Sequence, residues 1–254
     1  MVSLIGIIIV IIIVAGIVLA TRSKETFHSE SGTEGMSTAR RVWLYLITLI
    51  ALGIFASGVG QLLNLLFDLA IKGSSATQVG RTNFNAQQLS LGLAMIVIGG
   101  PLWFFFWRAI QKRVKGNQYE TGATLRKLFL NFVLIETSFM AIIAVSELFR
   151  WLLSGAPAAE FSASNLTLAI VGGVIWFYHW RVSEQEGQPS SVSRTLRRWY
   201  MYILAAFGLI WLAAGLVQFI NAAVVNLPFW GDSLVAGHFW NNTTQLSISW
   251  MLWG

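Results

Sequence analysis

The sequence predicts an all-α integral membrane protein: one N-terminal helix followed by three tandem two-helix repeats of parallel topology, about seven spans in all. Three observations carry that expectation. Hydrophobic residues make up 56% of the chain, charged residues only 11%, and mean hydropathy is +0.65; a soluble domain carries about 25% charged residues. Several uncharged stretches reach the roughly 20 residues needed to cross a bilayer. The chain also repeats itself. Arg40-Arg41-Val42-Trp43-Leu44-Tyr45 and the following Gly58-x-x-Gln61-x-x-Asn64 return, 157 residues later, as Arg197-Arg198-Trp199-Tyr200-Met201-Tyr202 and Gly215-x-x-Gln218-x-x-Asn221. Gln88-Leu89-Ser90 returns in the same register as Gln245-Leu246-Ser247. A second motif interleaves: Gly99-Gly100-Pro101-Leu102-Trp103-Phe104-Phe105-Phe106-Trp107-Arg108 recurs as Gly172-Gly173-Val174-Ile175-Trp176-Phe177-Tyr178-His179-Trp180-Arg181. Self-similarity of this kind decides architecture before any single residue does.

The first element, residues 1–20, is rich in Ile and Val and has no basic residue ahead of it, with Arg22 and Lys24 behind. A cleaved signal peptide would carry a positive n-region, so this run is expected to stay as a membrane anchor with its N-terminus outside. Residues 21–39 are polar, rich in Ser, Thr, Glu and Gly, and without periodicity, which fits a flexible linker. The repeat domain, 40–254, divides into 40–115, 124–187 and 194–254. Its expected helices are Trp43–Ile71 with Gln88–Trp107, Leu128–Leu153 with Leu166–Trp180, and Trp199–Asn226 with a segment from Gln245. Each pair returns the chain to the side it left. By the repeat register the last helix would run about ten residues beyond Gly254 to complete a span, so the natural chain is expected to continue.

Charge sets the orientation. Arg22, Lys24, Arg40, Arg41, Arg108, Lys112, Arg113, Lys115, Arg126, Lys127, Arg181, Arg194, Arg197 and Arg198 fall in the linker or loops of one side, against Lys72, Arg81 and Arg150 on or near the other. The positive-inside rule makes the crowded side cytoplasmic. The net charge of +6 is therefore topological, and nucleic acid is not an expected partner. Trp43, Trp103, Trp107, Trp176, Trp180 and Trp199 gather near the same face and read as an aromatic belt.

Enzymatic patterns are lacking: there is no phosphate-cradling glycine loop, nucleophile elbow or HExxH. With no cysteine, Cys-ligated metals, iron–sulfur clusters and disulfides are excluded. His28, His179 and His238 stand apart from one another. His179, at an inner helix end, reads as a belt residue; its alternative is an axial ligand to haem or a chlorin, and no other cofactor or metal is expected.

Polar residues inside a membrane are functional candidates by default. In the repeat alignment Gln61, Glu147 and Gln218 share one position, and Asn64, Arg150 and Asn221 another three residues on, on the same helix face. A pseudo-threefold bundle would gather these six into a polar ring, about 27 Å from the cytoplasmic edge. The sharp reading is a solute or ion gate. The plain one is interhelical hydrogen bonding, with Gly58 and Gly215 permitting close approach and Glu147 and Arg150 forming an i,i+3 ion pair. Glu136 is the deeper acid, without a basic partner within one turn; it is either a proton-relay member or a structural carboxyl, protonated or bonded to a hydroxyl such as Thr137 or Ser138.

With its Arg-Arg-x-x-x-Tyr helix starts and Trp-Phe-x-x-Trp-Arg helix ends, residues 40–254 resemble an uncharacterised bacterial membrane family, a domain of unknown function built of repeated helix pairs. The resemblance implies a bacterial plasma-membrane protein and carries over no catalytic residue. The mitochondrial carriers share only the tandem-pair plan, since their Pro-x-Asp/Glu-x-x-Lys/Arg motif is missing here. The expected function is non-enzymatic: an accessory or scaffold subunit of a larger membrane complex, respiratory or photosynthetic, with the lipid bilayer and other membrane subunits as partners. The alternative is a small transporter or channel along the repeat axis.

Overall fold

The computed structural model describes residues 38–72, 81–116, 123–186, 191–225 and 239–252. The expected N-terminal anchor, and the linker up to residue 37, lie outside them. All regular structure among the described residues is helical. The helices are α1 (Thr38–Lys72), α2 (Arg81–Gly116), α3 (Thr124–Leu153), α4 (Ala163–Gln185), α5 (Ser191–Val225) and α6 (Asn242–Met251), with a 3₁₀ turn at Ala158–Glu160. Four of them, α1, α2, α3 and α5, are long and apolar enough to cross a membrane. Their outward faces carry bare apolar side chains, among them Val97, Phe105, Ile210 and Val217, the surface that lipid tails can cover.

The helices outrun the expected spans at the basic end. α2 continues past Trp107 to Gly116, because Gln111-Lys112-Arg113-Val114-Lys115 contains no helix breaker and places cations on the negative end of the dipole. Ile110 and Val114 use this extension to reach the core. Inside the same helix Pro101 leaves the carbonyl four residues earlier, on Val97, without its usual donor.

Glycine sets the spacing within the first and last neighbouring pairs. A Cβ on Gly58 would lie 2.8 Å from Met95 Cβ and 2.9 Å from the Gly92 carbonyl, so α1 and α2 meet backbone to backbone. On Gly99 it would sit 2.6 Å from the Phe55 nitrogen, and on Gly215 2.7 Å from the Ser247 carbonyl of α6. Small residues allow such approach where apolar burial gives no driving force between helices. α3 turns into α4 through Gly155 and Ala156, both at positive φ (89° and 53°). The turn is closed by Ala156 N–H donating to Trp151 C=O (3.1 Å) and Trp151 Nε1 donating to Pro157 C=O (3.0 Å).

α1 packs along α2, α3 along α4 and α5 along α6. The middle pair lies between the others: α1 leans on α4, while α5 and α6 lean on α3. The outer pairs do not close a ring, so α3 and α4 act as the spine. Gln111 near the end of α2 bonds Arg126 at the start of α3, which bonds Glu186 just past α4. Glu184 of α4 pairs with Arg197 of α5 at 3.7 Å. The chain segments that follow Arg108 and Arg181 therefore lie at the same end of the bundle.

Candidate functional site

Polar side chains gather at two levels. The first is at the basic end, where α1–α4 converge. Arg126 and Lys127 sit in the first turns of α3 with side chains only 1% and 9% exposed. Their counter-ion is Glu186. Its Oε1 accepts from Arg126 Nε at 2.6 Å and also pairs with Nη2, while its Oε2 accepts from Lys127 Nζ at 2.5 Å. Arg126 Nη2 also donates to Gln111 Oε1 at 3.3 Å. Desolvating these charges would cost several kcal/mol each if they were unpaired; one carboxylate held between two cations offsets that cost and joins α2, α3 and the end of α4.

An aromatic floor lies beneath the ions. The Arg126 guanidinium stands 5.8 Å from the Trp107 ring, a cation–π geometry. Trp107 also meets Phe129 (5.8 Å) and His179 (5.5 Å), and Tyr45 of α1 meets Phe129 (5.3 Å). Trp107 Nε1 donates to Tyr178 Oη at 2.5 Å. His179 Nδ1 lies 2.8 Å from the Ile175 carbonyl.

These positions correct three expectations. Arg126 and Lys127 are not loop residues; they belong to α3 and are buried. Trp107 leaves the belt for the core, because Tyr178 supplies the acceptor its indole would have sought among headgroups. His179, 1% exposed, is a core residue and not an interfacial one. Trp43 and Trp199 do project outward, at 63% and 61% exposure.

The second level is near the opposite end. Glu147 and Arg150 pair at 2.9 Å, and Arg150 Nη1 donates to Asn242 Oδ1 at 2.9 Å, fastening α3 to the start of α6. α6 is capped by Asn241, whose side chain accepts from Thr244 N–H at 3.1 Å. Between α3, α5 and α6 lies a cavity of about 40 Å³ with Ser146 and Glu147 as its polar walls. The other members of the expected ring stay on their own helix pairs. The Gln61 carbonyl accepts from Gln88 Nε2 at 3.3 Å, Asn64 and Gln218 are half-buried, and Asn221 is exposed. No hydrogen bond among the described residues joins the Gln61/Asn64, Glu147/Arg150 and Gln218/Asn221 sets.

Glu136 is half-buried in the middle of α3 and makes no hydrogen bond or ion pair among the described residues. Neither expected hydroxyl serves it: Thr137 donates to the Val133 carbonyl at 2.6 Å, and Ser138 bonds Tyr200 Oη of α5 at 3.2 Å. The same Tyr200 oxygen accepts from Trp176 Nε1 at 3.3 Å, so one hydroxyl joins α3, α4 and α5.

Sequence reading missed Glu186, Gln111 and Tyr200 as partners. A signal was available for the basic half of the ion cluster. The 86-residue offset that relates Gln61 to Glu147 also relates Arg40-Arg41 to Arg126-Lys127, so the pair sits at a helix start and not in a loop. No group of three or more metal-ligating side chains occurs among the described residues.

No curated protein and no solved structure matches the chain. One family model matches it over two overlapping stretches, residues 41–165 and 139–228. On that match, covering most of its length, the chain belongs to the family described as Domain of unknown function (DUF5671).

Proposed function

We propose that this chain is a non-enzymatic accessory or scaffold subunit of a larger membrane complex. Its three helix pairs are read as tandem repeats threaded in a common direction, with the basic end on the cytoplasmic side of a bacterial plasma membrane. The repeat reading is supported by one family model matching two displaced stretches, and by Gly58 and Gly215 each seating the partner helix of their own pair. The functional reading rests on one observation: three sets of polar side chains tie helix to helix. Glu186 serves Arg126 and Lys127, Arg150 reaches Asn242, and Tyr200 collects Ser138 and Trp176. This is the chemistry of a rigid platform.

Glu136 marks where such a platform would be met. Glu136, Met140, Ile143 and Glu147 recur at helical spacing and share one face of α3, with Met140 40% and Ile143 39% exposed. A half-buried mid-span carboxyl with no partner among the described residues is suited to a donor from a partner helix.

Purification of the full chain in mild detergent tests the reading. A stoichiometric assembly with other membrane subunits, weakened by Glu136→Leu while the helical fold persists, is the expected result. A lone monomer or homo-oligomer under the same conditions contradicts it.

A further inference from the structure

The junction of α2, α3 and α4 holds two buried polar atoms with no partner among the described residues: Arg126 Nη1 and His179 Nε2. Their residues are 0% and 1% exposed, and both pack on the Trp107 ring, at 5.8 Å and 5.5 Å. Buried groups of this kind have a partner in the great majority of folded proteins, supplied by protein or by ordered water.

Their hydrogen-bonding roles follow from their neighbours. The Ile175 carbonyl, 2.8 Å from His179 Nδ1, can only accept, so Nδ1 carries the proton. In the neutral ring Nε2 then presents a lone pair. Arg126 has Nε and Nη2 engaged by Glu186 and Gln111, which leaves the Nη1 hydrogens as donors. One orphan is an acceptor and the other a donor. A metal ion or a haem iron would satisfy the imidazole lone pair but would bring positive charge toward the guanidinium and leave Nη1 without an acceptor. An anion would satisfy Nη1 and repel the lone pair. A molecule that both accepts and donates satisfies both.

We infer that a single buried water molecule bridges the two residues, accepting from Arg126 Nη1 and donating to His179 Nε2. The cluster becomes a continuous network, from Lys127 through Glu186 and Arg126 to His179 and the Ile175 backbone. Water is thereby a structural component of the α2–α3–α4 junction, and His179 is held in one tautomer by partners on both nitrogens.

Proton-detected solid-state NMR of the full chain in lipid bilayers, with ¹⁵N-imidazole-labelled histidine, tests this directly. His28→Gln and His238→Gln leave one histidine signal. In the unaltered chain the same signal is assigned by its contact with Trp107 ring protons. The expected spectrum shows Nδ1 protonated, Nε2 bare and shifted as a hydrogen-bond acceptor, and transfer to Nε2 from a water proton that exchanges slowly with bulk. A protonated Nε2, a metal-bound shift, transfer from Arg126 protons alone, or a bare Nε2 without water transfer would each overturn the inference.

Discussion

Replacing Glu186 with alanine leaves Arg126 and Lys127 buried without a counter-charge. Both cations are almost fully covered, with side chains 1% and 9% exposed, and Glu186 itself is 6% exposed. Removing one partner from a buried ion pair costs about 3–5 kcal/mol, most of it the uncompensated charge left behind. The whole stability of a domain is about 5–15 kcal/mol, so the loss is a large share of it. Glu184→Ala is the matched control, because its pair with Arg197 is 3.7 Å long, with side chains 51% and 74% exposed; exposed pairs contribute about 0–1 kcal/mol. Reversible unfolding in mixed micelles, followed by tryptophan fluorescence, compares the two. Equal stability of Glu186→Ala and the unaltered chain would refute the buried ion cluster, as would an equally large loss in Glu184→Ala.

Four further outcomes are expected. Gly215→Leu, whose side chain would start 2.7 Å from the Ser247 carbonyl, should separate α5 from α6 and abolish cross-linking between cysteines placed at Trp211 and Trp250; Gly53→Leu, with nothing within 4 Å, should leave the melting temperature unchanged. Tyr200→Phe removes the hydroxyl shared by Ser138 and Trp176 and should cost about 0.6–2 kcal/mol in the same unfolding assay, the range for hydrogen bonds inside membranes. Ala156→Gly relieves a left-handed residue at φ 53° and should stabilise the chain by up to about 1 kcal/mol. Arg150→Gln frees Glu147 and Asn242 from their shared partner, and should raise amide exchange in α6 while α1 and α2 keep their protection.

The helices and their close approaches were legible in the sequence because both depend on local composition. Uncharged runs of spanning length report their own environment, and glycines at Gly58, Gly99 and Gly215 fall where the register needs a thin backbone. The Glu147–Arg150 pair was legible for the same reason, since three residues of helix bring its members together. Arg126 and Lys127 were misread because charge bias counts a residue without asking what it touches. Their partner lies about sixty residues on, and nothing in a hydropathy profile distinguishes a solvated lysine from one held by a distant carboxylate. Trp107 and His179 failed likewise: an aromatic near a membrane edge reads as belt until a Tyr178 or an Ile175 carbonyl is seen to hold it. The ring of six assumed that three similar pairs close on one axis. Here the middle pair is flanked on two sides, and packing between pairs is set by α4 against α1 and α3 against α5 and α6, which repeat register does not specify.

The absence of cysteine from the sequence makes single-cysteine labelling in intact membranes the most direct test of how the chain is threaded. Cysteines at Lys112, in the last turns of α2, and at Glu184, at the end of α4, should be labelled by an impermeant maleimide from one side of the bilayer. Cysteines at Ala159 and Thr243 should be labelled from the other. Labelling of positions 112 and 184 from opposite sides would contradict the common direction of the helix pairs, and with it the placement of the buried ion cluster at one end of the bundle.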